Sequence, residues 1–212
     1  MSESHFFKSV ENHYNQQLPF VCFAKHQSLK AYLQADNKVH DVKDFKEPGF
    51  VFCPFSSSHP QIIFPEVKSE ILISTLQTNT IESQSTSFSD PSTAKQMHLD
   101  LVSKAVKTIQ NMDIQKIVCS RKIKVDKQIN PIVTFRKLAL KYPNAFSYCW
   151  YHPKIGLWLG ATPEQLLHFE RNNLQTVALA GTLNALEHPN PEWSAKEIDE
   201  QQMVVDYIVS AL

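Results

Sequence analysis

AFSYCWYHPKIGLWLGATPEQLL, Ala145 to Leu167, holds two runs rich in aromatic, branched and cysteine side chains, AFSYCWYH and IGLWLGA. Pro153-Lys154 separates the two runs, and Thr162-Pro163 closes the second. Runs of this length and makeup, bounded by turn residues, predict β-strands. Further runs of the same kind flank them. Downstream are QLLHFE and LQTVALAG; upstream is KIVCSRKIKV, whose apolar residues alternate. Near the N-terminus PFVCFA, LKAYLQ, GFVFCPF and QIIFP are separated by turn signals such as ADNK and SSSHP. These four predict an antiparallel meander.

Helical patterns alternate with these runs. Residues from about Glu3 to Gln16 predict a first helix. From Thr93 to about Asn111, Met97, Leu101, Ala105 and Ile109 recur at helical spacing, with Ser92 or Thr93 as the cap. PIVTFRKLALKY opens with a proline, which suits the first turn of a helix. A last helix is expected from near Ser194, which forms an S-x-x-E capping box with Glu197. Its apolar pattern of Met203, Val204, Tyr207, Ile208 and Leu212 runs to the end of the sequence without a stop signal. The polar, Ser/Thr-rich stretch from about Gln77 to Ser92 is expected to be a surface loop.

With 212 residues, 42% of them apolar, the chain is long enough for one large domain or two small ones. A formal net charge of +0 gives no sign of a nucleic-acid partner. Cys22, Cys53, Cys119 and Cys149 fall in apolar runs and form no CxxC pair. They read as reduced core residues of a cytoplasmic protein. No apolar run reaches the roughly 18 residues of a membrane helix, so no membrane partner is expected. The polar N-terminus lacks a signal-peptide core. The histidines show no zinc-site spacing, and no phosphate-binding glycine loop or nucleophile elbow is present.

Four charged residues carry candidate chemistry. Lys116 opens a β-branched run and reads either as a strand-end charge or as a general base whose pKa is lowered by burial or a nearby cation. Glu164 follows Thr162-Pro163 and reads either as a turn carboxylate or as an acid raised in pKa by an apolar pocket. Glu197 and Glu200 are three apart and share a helix face. They read either as solvated surface or as oxygen ligands for Mg²⁺. Of the four glycines, Gly156, Gly160 and Gly181 lie in this region, as tight hairpins or close backbone approaches require.

KIVCSR, GATPEQLL, ALAGT and KEIDEQ…VV, in that order, resemble the chorismate-utilising enzymes, most closely the isochorismate synthases. The resemblance covers roughly Thr93 to Leu212 and, more loosely, the N-terminal meander. It implies an α+β fold, with antiparallel β-sheets and helices packed outside, present here in incomplete form. The expected division is 1–92, the N-terminal meander and polar loop, and 93–212, the first part of the chorismate-binding region. The resemblance assigns Lys116 as the base that activates water to attack the ring at C2. It assigns Glu164 as the acid that protonates the departing C4 hydroxyl. Glu200 becomes a Mg²⁺ ligand supported by Glu197, and Gly181 and Thr182 become substrate contacts. Relatives that add ammonia generally lack lysine at the Lys116 position, which favours water as nucleophile.

The function implied is an Mg²⁺-dependent isochorismate synthase acting on the small molecule chorismate and feeding menaquinone or siderophore synthesis. Salicylate synthase is the alternative within the family. The family continues well past the position of Leu212, so the chain is expected to be an N-terminal fragment, inactive or nearly so by itself. From another class, the alternative is a non-catalytic half-domain that self-associates, or pairs with another chain, through surfaces left exposed by truncation.

Overall fold

The computed structural model describes residues 1–56, 58–77, 92–184, 186–188, 190 and 192–212. The expected loop from Gln77 to Ser92 lies, apart from its ends, outside the described residues. The chain divides into two compact units. One joins Met1–Glu82 to Gln128–Gln165; the other joins Ser83–Lys127 to Leu166–Leu212.

The first unit opens with helix α1 (Glu3–Asn15), capped by the Ser2 hydroxyl, which accepts from the His5 N–H. Strands β1 (Phe20–Lys25) and β2 (Ser28–Gln34) follow as a hairpin turning at His26 and Gln27. Both turn residues have positive φ, the backbone that a two-residue turn needs to match strand twist. Then come β3 (His40–Asp41), β4 (Gly49–Phe52), β5 (Ile62–Pro65) and β6 (Ser69–Thr75). After the segment that belongs to the second unit, this unit resumes with a further helix at Pro131–Lys141 and strands at Phe146–His152 and Gly156–Thr162. These are α3, β7 and β8 in chain order. Asn130 caps α3 by accepting from the N–H groups of Ile132 and Val133, and Pro131 takes the first turn as expected.

The sheet order is β6-β2-β1-β7-β8, antiparallel at every step. Strands β3, β5 and β4 form a separate three-stranded sheet. The expected N-terminal meander is therefore corrected. Its runs divide between two sheets, and β1 takes β7 from the far part of the sequence as its second neighbour. Strand β6, absent from the expected runs, supplies one edge.

Alternation explains the layering. Phe20, Cys22 and Ala24 of β1 point to one face, as do Leu29, Ala31 and Leu33 of β2 and Cys149 and Tyr151 of β7. There they pack with Phe6 and Val10 of α1 and with Ile132, Phe135 and Ala139 of α3. On the opposite face Val21, Tyr32 and Trp150 pack with Ile62 and Phe64 of the small sheet. A strand buried on both faces reads as a continuous apolar run, which is what PFVCFA is. Glu3 fastens the edge of this unit: Arg136 donates to it at 2.7 Å and the Gln77 N–H at 2.9 Å.

Two histidines, His13 half-buried and His152 buried, link this unit's stability to pH. His13 Nε2 lies 3.0 Å from the carbonyl oxygens of both Pro19 and Gln34. His152 is 2% exposed and its Nδ1 accepts from the Lys154 N–H. Burial is the largest cause that lowers both pKa values below the usual 6.5. Nearby carbonyls partly offset it in each case. Below pH 6.5 the unfolded chain takes up protons that the folded chain refuses, so stability falls as pH falls. The urea midpoint is expected to be flat above about pH 7.5 and to decline from about pH 6.5 downward. A midpoint that rises on acidification over that range would contradict this account.

The second unit contains α2 (Ser92–Asn111), the hairpin strands β9 (His168–Glu170) and β10 (Asn173–Gln175), and α4 (Ala195–Ala211). Arg171 and Asn172, both at positive φ, make the hairpin turn. Two expected strands are corrected here. KIVCSRKIKV adopts no strand, since residues 114–130 form neither helix nor strand. The expected LQTVALAG strand shrinks to Asn173–Gln175. The physical reason is common to both, because a strand exists only through a ladder with a neighbour. Among the described residues neither Ile117–Val125 nor Val177–Gly181 has such a neighbour. Val118, Val125, Val177 and Leu179 are accordingly exposed. Among the described residues no helix is long and apolar enough to cross a membrane.

Candidate active site

Glu164 is delivered by the end of β8. That strand pairs with β7 until Thr162 meets Phe146, and Pro163 then ends the ladder. The Glu164 N–H turns back to donate to Thr162 Oγ1 at 3.1 Å, a local turn that Thr favours. The side chain of Glu164 is exposed. Beside it an open groove of about 440 Å³ is lined by Leu138, Tyr142, Leu159, Gly160 and Pro163, among others. Gly160 is required by its cross-strand neighbour. A Cβ there would meet the Tyr148 hydroxyl at 2.9 Å.

The remaining candidates belong to the second unit. Lys116 lies in the irregular segment and is exposed. Gly181 lies against the start of α4. A Cβ on it would stand 3.2 Å from the Trp193 ring and 3.6 Å from Glu197 Cγ. Gly181 is thus bordered by both Trp193 and Glu197, and Trp193 is a neighbour that the sequence motifs do not single out. Thr182 follows Gly181 and is exposed.

Glu197 and Glu200 occupy the first turns of α4. Ser194 and Glu197 close the expected capping box: Ser194 N–H donates to Glu197 Oε2 at 2.8 Å, and Glu197 N–H donates to Ser194 Oγ at 3.4 Å. The Ser194 N–H, aided by its hydroxyl, holds the Glu197 carboxyl below the usual carboxylate range. Glu200 Oε1 pairs with Lys196 Nζ at 3.2 Å, an i,i+4 contact the spacing itself signals.

The donor chemistry fits Mg²⁺ in one respect. Two carboxylates share a helix face, each with a second oxygen beyond the one engaged by Ser194 or Lys196. Mg²⁺ commonly takes one or two carboxylates and completes its shell with water or substrate oxygens. Among the described residues no three His, Cys, Asp or Glu side chains converge, so this is no all-protein cage.

A family model described as "Chorismate binding enzyme" matches residues 55–212. The chain belongs to the chorismate-binding enzyme family. All six candidate residues, Lys116, Glu164, Gly181, Thr182, Glu197 and Glu200, fall within the matched range. Anthranilate synthase component 1 of Lactococcus lactis subsp. lactis (strain IL1403) is 26% identical over 121 residues. That match covers 53% of this chain and 26% of the relative, so the chain spans about a quarter of the relative's length. No solved structure matches the chain. Among the described residues, the mixed α/β architecture of antiparallel sheets and four α-helices agrees with a partial form of the chorismate-binding fold.

Proposed function

We propose that this chorismate-binding chain is part of an isochorismate synthase, with residues 93–212 as the first part of its chorismate-binding region. The observation that carries the reading is Lys116 in QKIVCSR, inside the family match. Lys116 takes a proton from water as the oxygen attacks C2 of the ring. The ring double bonds shift, the C4–O bond breaks, and Glu164 gives its proton to the departing oxygen, so water leaves. Lys116 and Glu164 are exposed in the chain alone. The reading needs them to face one cavity from opposite sides, with substrate and further chain excluding water. Glu200, supported by Glu197, would hold Mg²⁺, which fixes the substrate carboxylate and offsets its charge. Gly181 and Thr182 contact substrate.

A second reading draws on the anthranilate synthase relative and makes ammonia the nucleophile. A third, a half-domain that associates with another chain, draws on the exposed apolar residues of α2 and α4, such as Met97, Leu101, Tyr207 and Val209.

The metal assignment is tested in a chain extended to full family length. Chorismate consumption is expected to require Mg²⁺, and Glu200→Gln to raise the half-saturating Mg²⁺ concentration about tenfold or more. Unchanged turnover in the presence of a chelator would reject it.

A further inference from the structure

Cys22 and Cys149 oppose one another across the neighbouring inner strands β1 and β7. They are direct register partners. Both are fully buried in the core beneath α1 and α3. Directly opposed residues of an antiparallel pair share a face. Their Cα atoms stand about 4.5 or 5.5 Å apart, depending on the pair type. Either spacing lies within the roughly 4.4–6.8 Å that a disulfide spans. The other two thiols differ: Cys53 lies just beyond β4, and Cys119 lies in the irregular segment of the second unit. The two opposed cysteines are more than a hundred residues apart in sequence. The strands that carry them join β6-β2-β1 to β7-β8, which leads to Glu164.

We propose that Cys22 and Cys149 form a reversible cross-strand disulfide when a low-molecular-weight disulfide oxidises the chain, stapling the two parts of this sheet. The thiolate of one cysteine attacks the oxidant, releasing one thiol and leaving a mixed disulfide. The second cysteine, losing its proton, displaces the other oxidant thiol. One protein S–S bond forms at the expense of two S–H bonds, and the oxidant's S–S bond is reduced to two thiols.

Burial sets the rate. It pushes the Cys22 thiol pKa well up, with the Cys149 thiol adding to the effect, and only a thiolate attacks. Oxidation therefore proceeds from states in which α1 or α3 has lifted from the sheet. Under native conditions the link therefore forms slowly, through such openings, and more quickly where they are more frequent.

The test is incubation of the chain with glutathione disulfide, with and without urea just below the unfolding midpoint, followed by alkylation and peptide mapping. The expected product is a peptide holding Cys22 linked to one holding Cys149. It should form faster with urea and be reversed by dithiothreitol, with Cys53 and Cys119 found alkylated. Because the link closes a long loop, Tm should rise on the order of 10 °C. Cys149→Ser should lose both the link and the rise. If that variant does not fold, the wild-type peptide map still decides. Glutathione adducts on Cys22 or Cys149 without a link would overturn the staple. So would a link through Cys53 or Cys119, or a Cys22–Cys149 link that leaves Tm unchanged or lower.

Discussion

Lys116→Ala and Glu164→Ala, each made in a chain extended to full family length, are expected to cut chorismate turnover by about 10²–10⁴-fold. Water is a poor nucleophile and hydroxide a poor leaving group, so the proposed reaction needs one base and one acid. Each removal leaves one half of that pair without its partner. Substrate binding should largely survive, because the proposed Mg²⁺ contact and the Gly181–Thr182 loop are untouched. The loss should therefore fall on kcat rather than KM. Ordinary rates from either variant would reject the corresponding role. A loss confined to KM would turn that residue into a binding group.

The next largest expected effect is on stability. Trp150→Ala should destabilise the first unit by about 3–5 kcal/mol, read by urea unfolding. Trp150 is 1% exposed and stands between the five-stranded sheet and the small sheet. Its ring centroid lies 4.7 Å from that of Phe52, 6.0 Å from Phe64 and 6.3 Å from Trp158. Alanine would leave a cavity that these rigid aromatic neighbours fill poorly. Trp150→Phe should cost far less. Trp150 Nε1 has no hydrogen-bond partner among the described residues, so phenylalanine deletes an N–H whose burial is uncompensated. A loss below about 1 kcal/mol for the alanine variant would show that the small sheet is not held through this residue.

How much of this was legible in the sequence follows from how local each signal is. The Ser194–Glu197 capping box, the Asn130-Pro131 helix start and the β7–β8 pair are written within a few residues of themselves. The capping box, the proline start and the two strands appear in the fold as read, and the structure adds the Asn130 cap and the β7–β8 pairing. The pairing of β1 with β7 is a long-range event. No turn links PFVCFA to AFSYCWYH, so only burial on both faces hints at a second neighbour. The KIVCSRKIKV run carries a correct strand pattern without a partner strand among the described residues, and pattern alone makes no ladder.

The candidate site divides in the same way. Glu197, Glu200 and Lys196 are a matter of helical spacing and could be read directly. The approach of Gly181 to Trp193 joins two irregular segments, and no periodicity marks it. The proposal that Lys116 and Glu164 serve one reaction rests on motif order, because no local rule connects a strand-like lysine to a turn carboxylate some fifty residues away.

The central claim is that this member of the chorismate-binding enzyme family serves an enzyme that adds water to chorismate. Product analysis tests it most directly. A chain of full family length is supplied with chorismate, Mg²⁺ and ammonium together, and the products are separated and identified. Isochorismate formed at a rate independent of ammonium is the predicted result. Anthranilate or aminodeoxychorismate, formed in proportion to ammonium, would contradict it.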